Sequence, residues 1–136
     1  MTCASSEYIA AHGRPRTLEQ FERHRAVNFL ASNSGRPVPF RFLVDGAPRN
    51  ILLQGMISVT TAEAYNACAL QGLGFIQTAR VRLEEPLSDG RLVEVLSRWA
   101  PAPSPVSVLY PRQRHLPPRV RAFIDWLVES MAPYAD

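Results

Sequence analysis

The sequence predicts an α/β layer fold. Short apolar runs of strand length alternate with segments that open on helix-capping residues and end at glycine or proline. An Asp45-Gly46 dipeptide divides two of the strand-like runs, and an amphipathic stretch occupies the last turns of the chain.

The first helix is expected over Ser5–Gly13, with serine as N-cap, glycine as the stop, and Pro15 barring continuation. Thr17 with Gln20 three residues on is a capping-box pattern for a second short helix ending near His24. Val27–Ala31 reads as a strand, and the polar loop Ser32-Asn33-Ser34-Gly35-Arg36-Pro37 follows it. Phe40–Val44 alternates like a strand, Asp45-Gly46 turns the chain, and Ile51-Leu52-Leu53 returns. Gly55 interrupts the next run, Met56–Val59, as a bulge or a switch of the chain between strands would. Thr60 and Glu63 form a second capping box, and Tyr65, Cys68, Ala69 and Gly72 fall on one face of the helix they open. The small residues on that face imply close approach to a sheet. Phe75-Ile76-Gln77, Leu92–Leu96 and Val106–Tyr110 read as strands, with a short helix over Val81–Leu87. Pro117 and Pro118 open the final helix and Pro133 closes it, with Val120, Phe123, Ile124, Leu127 and Met131 along one face.

At 136 residues, with 46% hydrophobic and 20% charged residues, the composition is that of one globular domain and excludes a disordered chain. No apolar run approaches the roughly 20 residues of a membrane span, and the first eleven residues lack the basic start of a signal peptide. Cys3 and Cys68 lie far apart, so no disulfide framework is expected and a cytoplasmic location follows. The net charge is +3, and all 15 basic residues are arginine, which suits codon bias better than a nucleic-acid face. The run Arg112-Gln113-Arg114-His115 has no interleaved aromatic residue to stack bases.

Catalytic chemistry finds no motif. There is no CxxC, HxxxH, GxGxxG or GxSxG, and Glu84 and Glu85 are neighbours that a helix points in different directions. No enzyme, metal or cofactor is expected. His12 and His24 are placed at helix C-termini, where imidazole suits the dipole, and Cys68 reads as a small buried hydrophobe. One constellation suits a small anion. The N-terminus opened by Thr60 and Thr61 offers unpaired N–H groups, and the strand end at Gln77 and the loop residues Ser32 and Asn33 can converge on it. Thr60 equally well caps its own helix and nothing more.

Several segments in order resemble a known family. They are Cys3-Ala4-Ser5-Ser6-Glu7-Tyr8-Ile9 with Gly13-Arg14-Pro15, and Ala69-Leu70-Gln71-Gly72-Leu73-Gly74-Phe75-Ile76. Gly90–Leu96, Leu109-Tyr110-Pro111, Arg114-His115-Leu116 and Val120–Leu127 continue the set. Together they resemble the C-terminal effector-binding region of bacterial LysR-type transcriptional regulators, with Thr78-Ala79 departing where that family often has proline.

The resemblance implies a periplasmic-binding-protein-like (type 2) fold, of which this chain is the second lobe (about 5–105), a return crossover strand and the C-terminal helix (106–136). On that resemblance the first lobe would be largely missing from this chain, as would the winged helix-turn-helix that contacts DNA. The apolar face of the last helix then lacks its usual surface, so it docks on the second lobe, pairs with a copy, or stays loosely held. The implied partners are a small-molecule effector, with an anion favoured, and a second copy or a full-length regulator; no direct DNA contact and no membrane are implied. A stand-alone ligand- or partner-binding module, or a non-functional remnant, is the alternative.

Overall fold

β1 (Thr2–Ser5) runs antiparallel between β6 (Ile76–Gln77) and β7 (Leu92–Val95), with Thr2 opposite both Gln77 and Val95. The computed structural model describes residues 1–101, 107–109 and 117–132. It divides into two units, Met1–Ala102 and Pro103–Asp136. All four residues of β1 are buried, so nothing in them alternates. That is why this strand escapes a search for period-two patterning, which carries Ser5 straight into the first helix.

β2 (Arg25–Phe29) pairs in parallel with β5 (Gln54–Val59). The Val27 N–H donates to the Phe75 carbonyl at 3.0 Å, and the Phe75 N–H donates to the Arg25 carbonyl at 2.9 Å. These two bonds stitch the pairs into one running order, β5-β2-β6-β1-β7. Ala26 faces Gly55 and Val27 faces Ile57, leaving Met56 as the extra residue of a bulge. β2 starts two residues earlier than its apolar run suggests, because parallel pairing with Gln54 begins at Arg25. β3 (Phe40–Val44) and β4 (Ala47–Ile51) form a hairpin on Asp45-Gly46. Both turn residues have positive φ, 50° and 79°, as a type I′ turn requires. Pairing resumes at Ala47 directly after this two-residue turn, so the return strand lies four residues before the expected Ile51.

α1 (Ser6–His12) is capped by Ser5, whose Oγ accepts the Tyr8 N–H at 3.1 Å, and it stops at Gly13 with φ 86°. α2 (Leu18–Phe21) is capped by Thr17, while the Gln20 side chain accepts from the Arg16 N–H rather than from Thr17. α3 spans Ala62–Leu70. The expected helix over Val81–Leu87 is instead a 3₁₀ turn at Arg80–Arg82 and α4 (Glu84–Ser88), parted by the buried Leu83. In the second unit α5 (Pro118–Met131) carries proline at its start, where a missing N–H costs nothing. Ser107–Leu109 form no strand; Val106, Tyr110 and the Arg112–His115 run lie outside the described residues.

Neighbouring residues of each strand go to opposite faces, so the first unit has two cores. Ala4, Ala26 and Phe75 join Phe21, Phe40 and Phe42 on one face. Cys3, Val27 and Ile76 meet Tyr65 and Ala69 of α3 on the other. Phe21 is the hub of the first, edge-on to Phe40, Phe42 and Phe75 at centroid distances of 5.1, 5.4 and 5.1 Å. The expected close approach of α3 is met: Ala69 is fully buried and Gly72 lies over Ser5. Cys3 and Cys68 are both free, and burial pushes the Cys3 thiol up to about 12.

His12 is the last residue of α1, as expected, with Nδ1 3.2 Å from the Tyr8 carbonyl of that last turn, and both His12 and His24 also meet the Tyr8 side chain. The His12 ring stacks on Tyr8 at 4.4 Å. The Tyr8 hydroxyl accepts the Arg25 N–H at 3.0 Å and lies 3.4 Å from His24 Nδ1, which suits a bare Nδ1 accepting the Tyr8 proton. Burial, and secondarily the charge on His12, lower the His24 pKa below its ordinary value. A lowered folded-state pKa means that the unfolded chain takes up the proton first as pH falls. Stability is therefore expected to be level above about pH 6.5 and to decline as pH falls from there to the lowered folded value. Urea midpoints at pH 7.5 and pH 5 check this, and His24→Gln should flatten the acid-side decline.

Candidate functional site

The ends of β2 and β6 and the start of α3 enclose a cavity of about 320 Å³ in the first unit. Phe29 is the last residue of β2, Gln77 the last of β6, and Ala62 the first of α3. Ligand clefts in open α/β sheets form outside the carboxyl ends of strands, which is where this one lies. The fourth wall is Val38-Pro39-Phe40-Arg41. That segment is brought over the cavity because the loop after β2 doubles back: the Ala31 N–H donates to the Arg36 carbonyl and the Val38 N–H to the Phe29 carbonyl.

Most of this lining is apolar. Phe29 and Tyr65 meet edge to face with centroids 5.3 Å apart. The Tyr65 hydroxyl accepts the Gln77 N–H at 3.1 Å, and burial pushes the phenol up to about 12, so Tyr65 stays neutral. The helix N-terminus supplies polarity. Thr61 Oγ1 accepts the Ala64 N–H at 3.3 Å, and the N–H groups of Ala62 and Glu63 have no acceptor among the described residues. Arg41 stands exposed at the rim, without a carboxylate partner among the described residues.

The five residues singled out from sequence fare differently. Gln77 lies in the wall, but its amide is engaged by the protein: Oε1 accepts the Arg41 N–H at 2.8 Å, and Nε2 donates to the Arg41 carbonyl at 2.8 Å and to Thr2 Oγ1 at 3.0 Å. The amide copies a strand's backbone and holds β3 against β1. Thr61, not Thr60, caps α3, and because the residue three on is then Ala64 rather than Glu63 the expected capping box does not form; Thr60 is exposed directly after β5. Ser32 and Asn33 sit exposed in the doubling-back loop and are not in the cavity wall. Sequence reading missed Phe29, Val38, Arg41 and Tyr65. Tyr65 was visible as a member of the buried helix face, but its role opposite Phe29 depends on the placement of β2.

Among the described residues no His, Cys, Asp or Glu cluster has the geometry to hold a metal ion, and no helix is long and apolar enough to cross a membrane.

Residues 1–132 match the family model described as the LysR substrate binding domain. The HTH-type transcriptional regulator YhjC of Escherichia coli K12 is 32% identical over 136 residues, spanning 100% of this chain and 46% of its own. The HTH-type transcriptional repressor PA14_22550 of Pseudomonas aeruginosa is 35% identical over 136 residues, spanning 95% of this chain and 41% of its own. Among solved structures, the regulatory domain of AphB in Vibrio vulnificus superposes with a TM-score of 0.74 at 25% identity, covering 96% of this chain and 63% of that one. The regulatory domain of CrgA from Neisseria meningitidis shares the fold, with a TM-score of 0.72 over 95% of this chain and 62% of that one at 21% identity. The chain spans less than half the length of the two sequence relatives.

Proposed function

This chain belongs to the LysR substrate-binding domain family, and from that premise we propose that it senses a small effector for a transcriptional regulator. The observation that carries the proposal is the cavity between the ends of β2 and β6 and the start of α3. Its walls favour a ligand with an apolar body and one anionic group. The body lies against Phe29, Val38 and Tyr65; the anion faces the free N–H group of Ala62, with Arg41 at the rim. Thr61 serves this site by shaping the first turn of α3, and Gln77 by holding the Arg41 segment in place. In a whole regulator the ligand's preference for one arrangement of the domain would bias transcription, which is all a ligand needs to supply.

Thermal denaturation in a panel of small carboxylates and their neutral amides tests this. A carboxylate at 100 times its Kd should stabilise the chain by about 2.7 kcal/mol, and its amide far less. Ala62→Phe fills the cavity mouth and should abolish the response while the chain stays folded. A carboxylate response that survives Ala62→Phe unchanged, or a panel with no response, refutes the assignment.

A further inference from the structure

We propose a second small-molecule site on the first unit, for a phosphate-bearing polyanion, in the hollow between the α1–α2 connection and the end of β7. The hollow has a volume of about 400 Å³, and its walls are Arg14 and Arg16, which flank Pro15, with Ser97, Arg98 and Trp99 beyond β7. Three arginines line it and, among the described residues, no carboxylate does. Like charges gathered round a concavity repel one another and focus a positive potential into it. An anion there relieves both effects.

Two of the three arginines are held in place without being neutralised. Arg14 Nη2 donates to the Glu94 carbonyl at 2.8 Å, which fixes the guanidinium at the end of β7. The Arg98 guanidinium lies over the Trp99 ring, 5.4 Å from its centroid, and Trp99 packs on the core. The carboxylates that lie closest along the chain are committed elsewhere. Glu94 is paired with Arg80, and Glu19 and Glu22 are paired with Arg49. Charged groups that the fold orients but leaves without counter-charge are a recognition device. Guanidinium forks match phosphate oxygens two at a time, and three of them suit a ligand carrying two or more negative charges. This site shares no wall residue with the aromatic cavity, so it stands or falls independently of the effector reading.

Isothermal titration of the full chain with inorganic pyrophosphate, at constant ionic strength, is the test. One-to-one binding is expected, weakened about tenfold or more in Arg14→Gln/Arg98→Gln. Arg16→Gln alone should weaken it less, and Arg14→Lys/Arg98→Lys should fall between wild type and the glutamine pair, because charge is kept and the fork is lost. All three arginines are exposed, so the melting temperatures should match that of wild type. Equal affinity in wild type and the glutamine pair, or no heat at all, overturns the site. Tighter binding of citrate than of pyrophosphate overturns the phosphate class.

Discussion

Replacing Phe21 by alanine is expected to destabilise the chain by about 3–5 kcal/mol. The ring is fully buried and touches Phe40, Phe42 and Phe75 edge-on, so its loss leaves a hole bounded by three aromatic side chains that cannot all move in to fill it. A domain of this size has roughly 5–15 kcal/mol of stability, so the variant should sit near the unfolding limit. The effect reaches the cavity because Phe40 is one of its walls, and Phe75 leads into β6. Urea denaturation measures the loss directly. A loss below about 1 kcal/mol would show that the site relaxes around the deletion, and that the aromatic cluster is not the centre of this core.

Gly74→Ala comes next in size. Gly74 has φ 137°, where an L side chain is strained, and a Cβ there would stand 2.7 Å from the Arg25 carbonyl oxygen and 3.0 Å from Ala26. Those atoms are backbone of β2 and cannot swing aside. Strain contributes about 1–3 kcal/mol and the overlap a similar amount. The bonds between Phe75 and β2 are the first to give way, so the amides of Val27 and Phe75 should exchange faster. Gly90→Ala is the control: its φ is 79° but it has open space around it, so only the strain remains. Equal losses in the two variants would mean that the contact with β2 plays no part.

The sequence is most informative where a local rule acts alone. Ser5 and Thr17 cap helices as their positions require, Gly13 stops one, and Asp45-Gly46 turns a hairpin with both residues at positive φ. Gly55 correctly marks the bulge. Local rules fail where long-range pairing decides. β1 is four buried residues with no period to read, and β2 is displaced because Arg25 pairs with Gln54. Thr60 has the capping-box spacing to Glu63, yet Thr61 is the cap, so the local pattern points one residue too early. The candidate site follows the same division. The helix start and Gln77 were legible, whereas Phe29, Val38 and Arg41 reach the cavity through a loop that doubles back, and no short-range signal specifies that path.

The position of β1 has a consequence for cooperativity. Thr2 pairs with Gln77 across 75 residues of chain, while the β3–β4 hairpin closes across two turn residues. Among the described residues β7 has β1 as its one neighbour in the sheet, and β6 is joined to β2 chiefly through Phe75. Four residues therefore act as a keystone. Until they are seated, β7 has no strand to pair with and Gln77 lacks the Thr2 hydroxyl. The cost of closing so long a loop is met in one step, when both flanking strands are gained together. β1, β6 and β7 are therefore expected to form and melt together, and the hairpin is free to form before them.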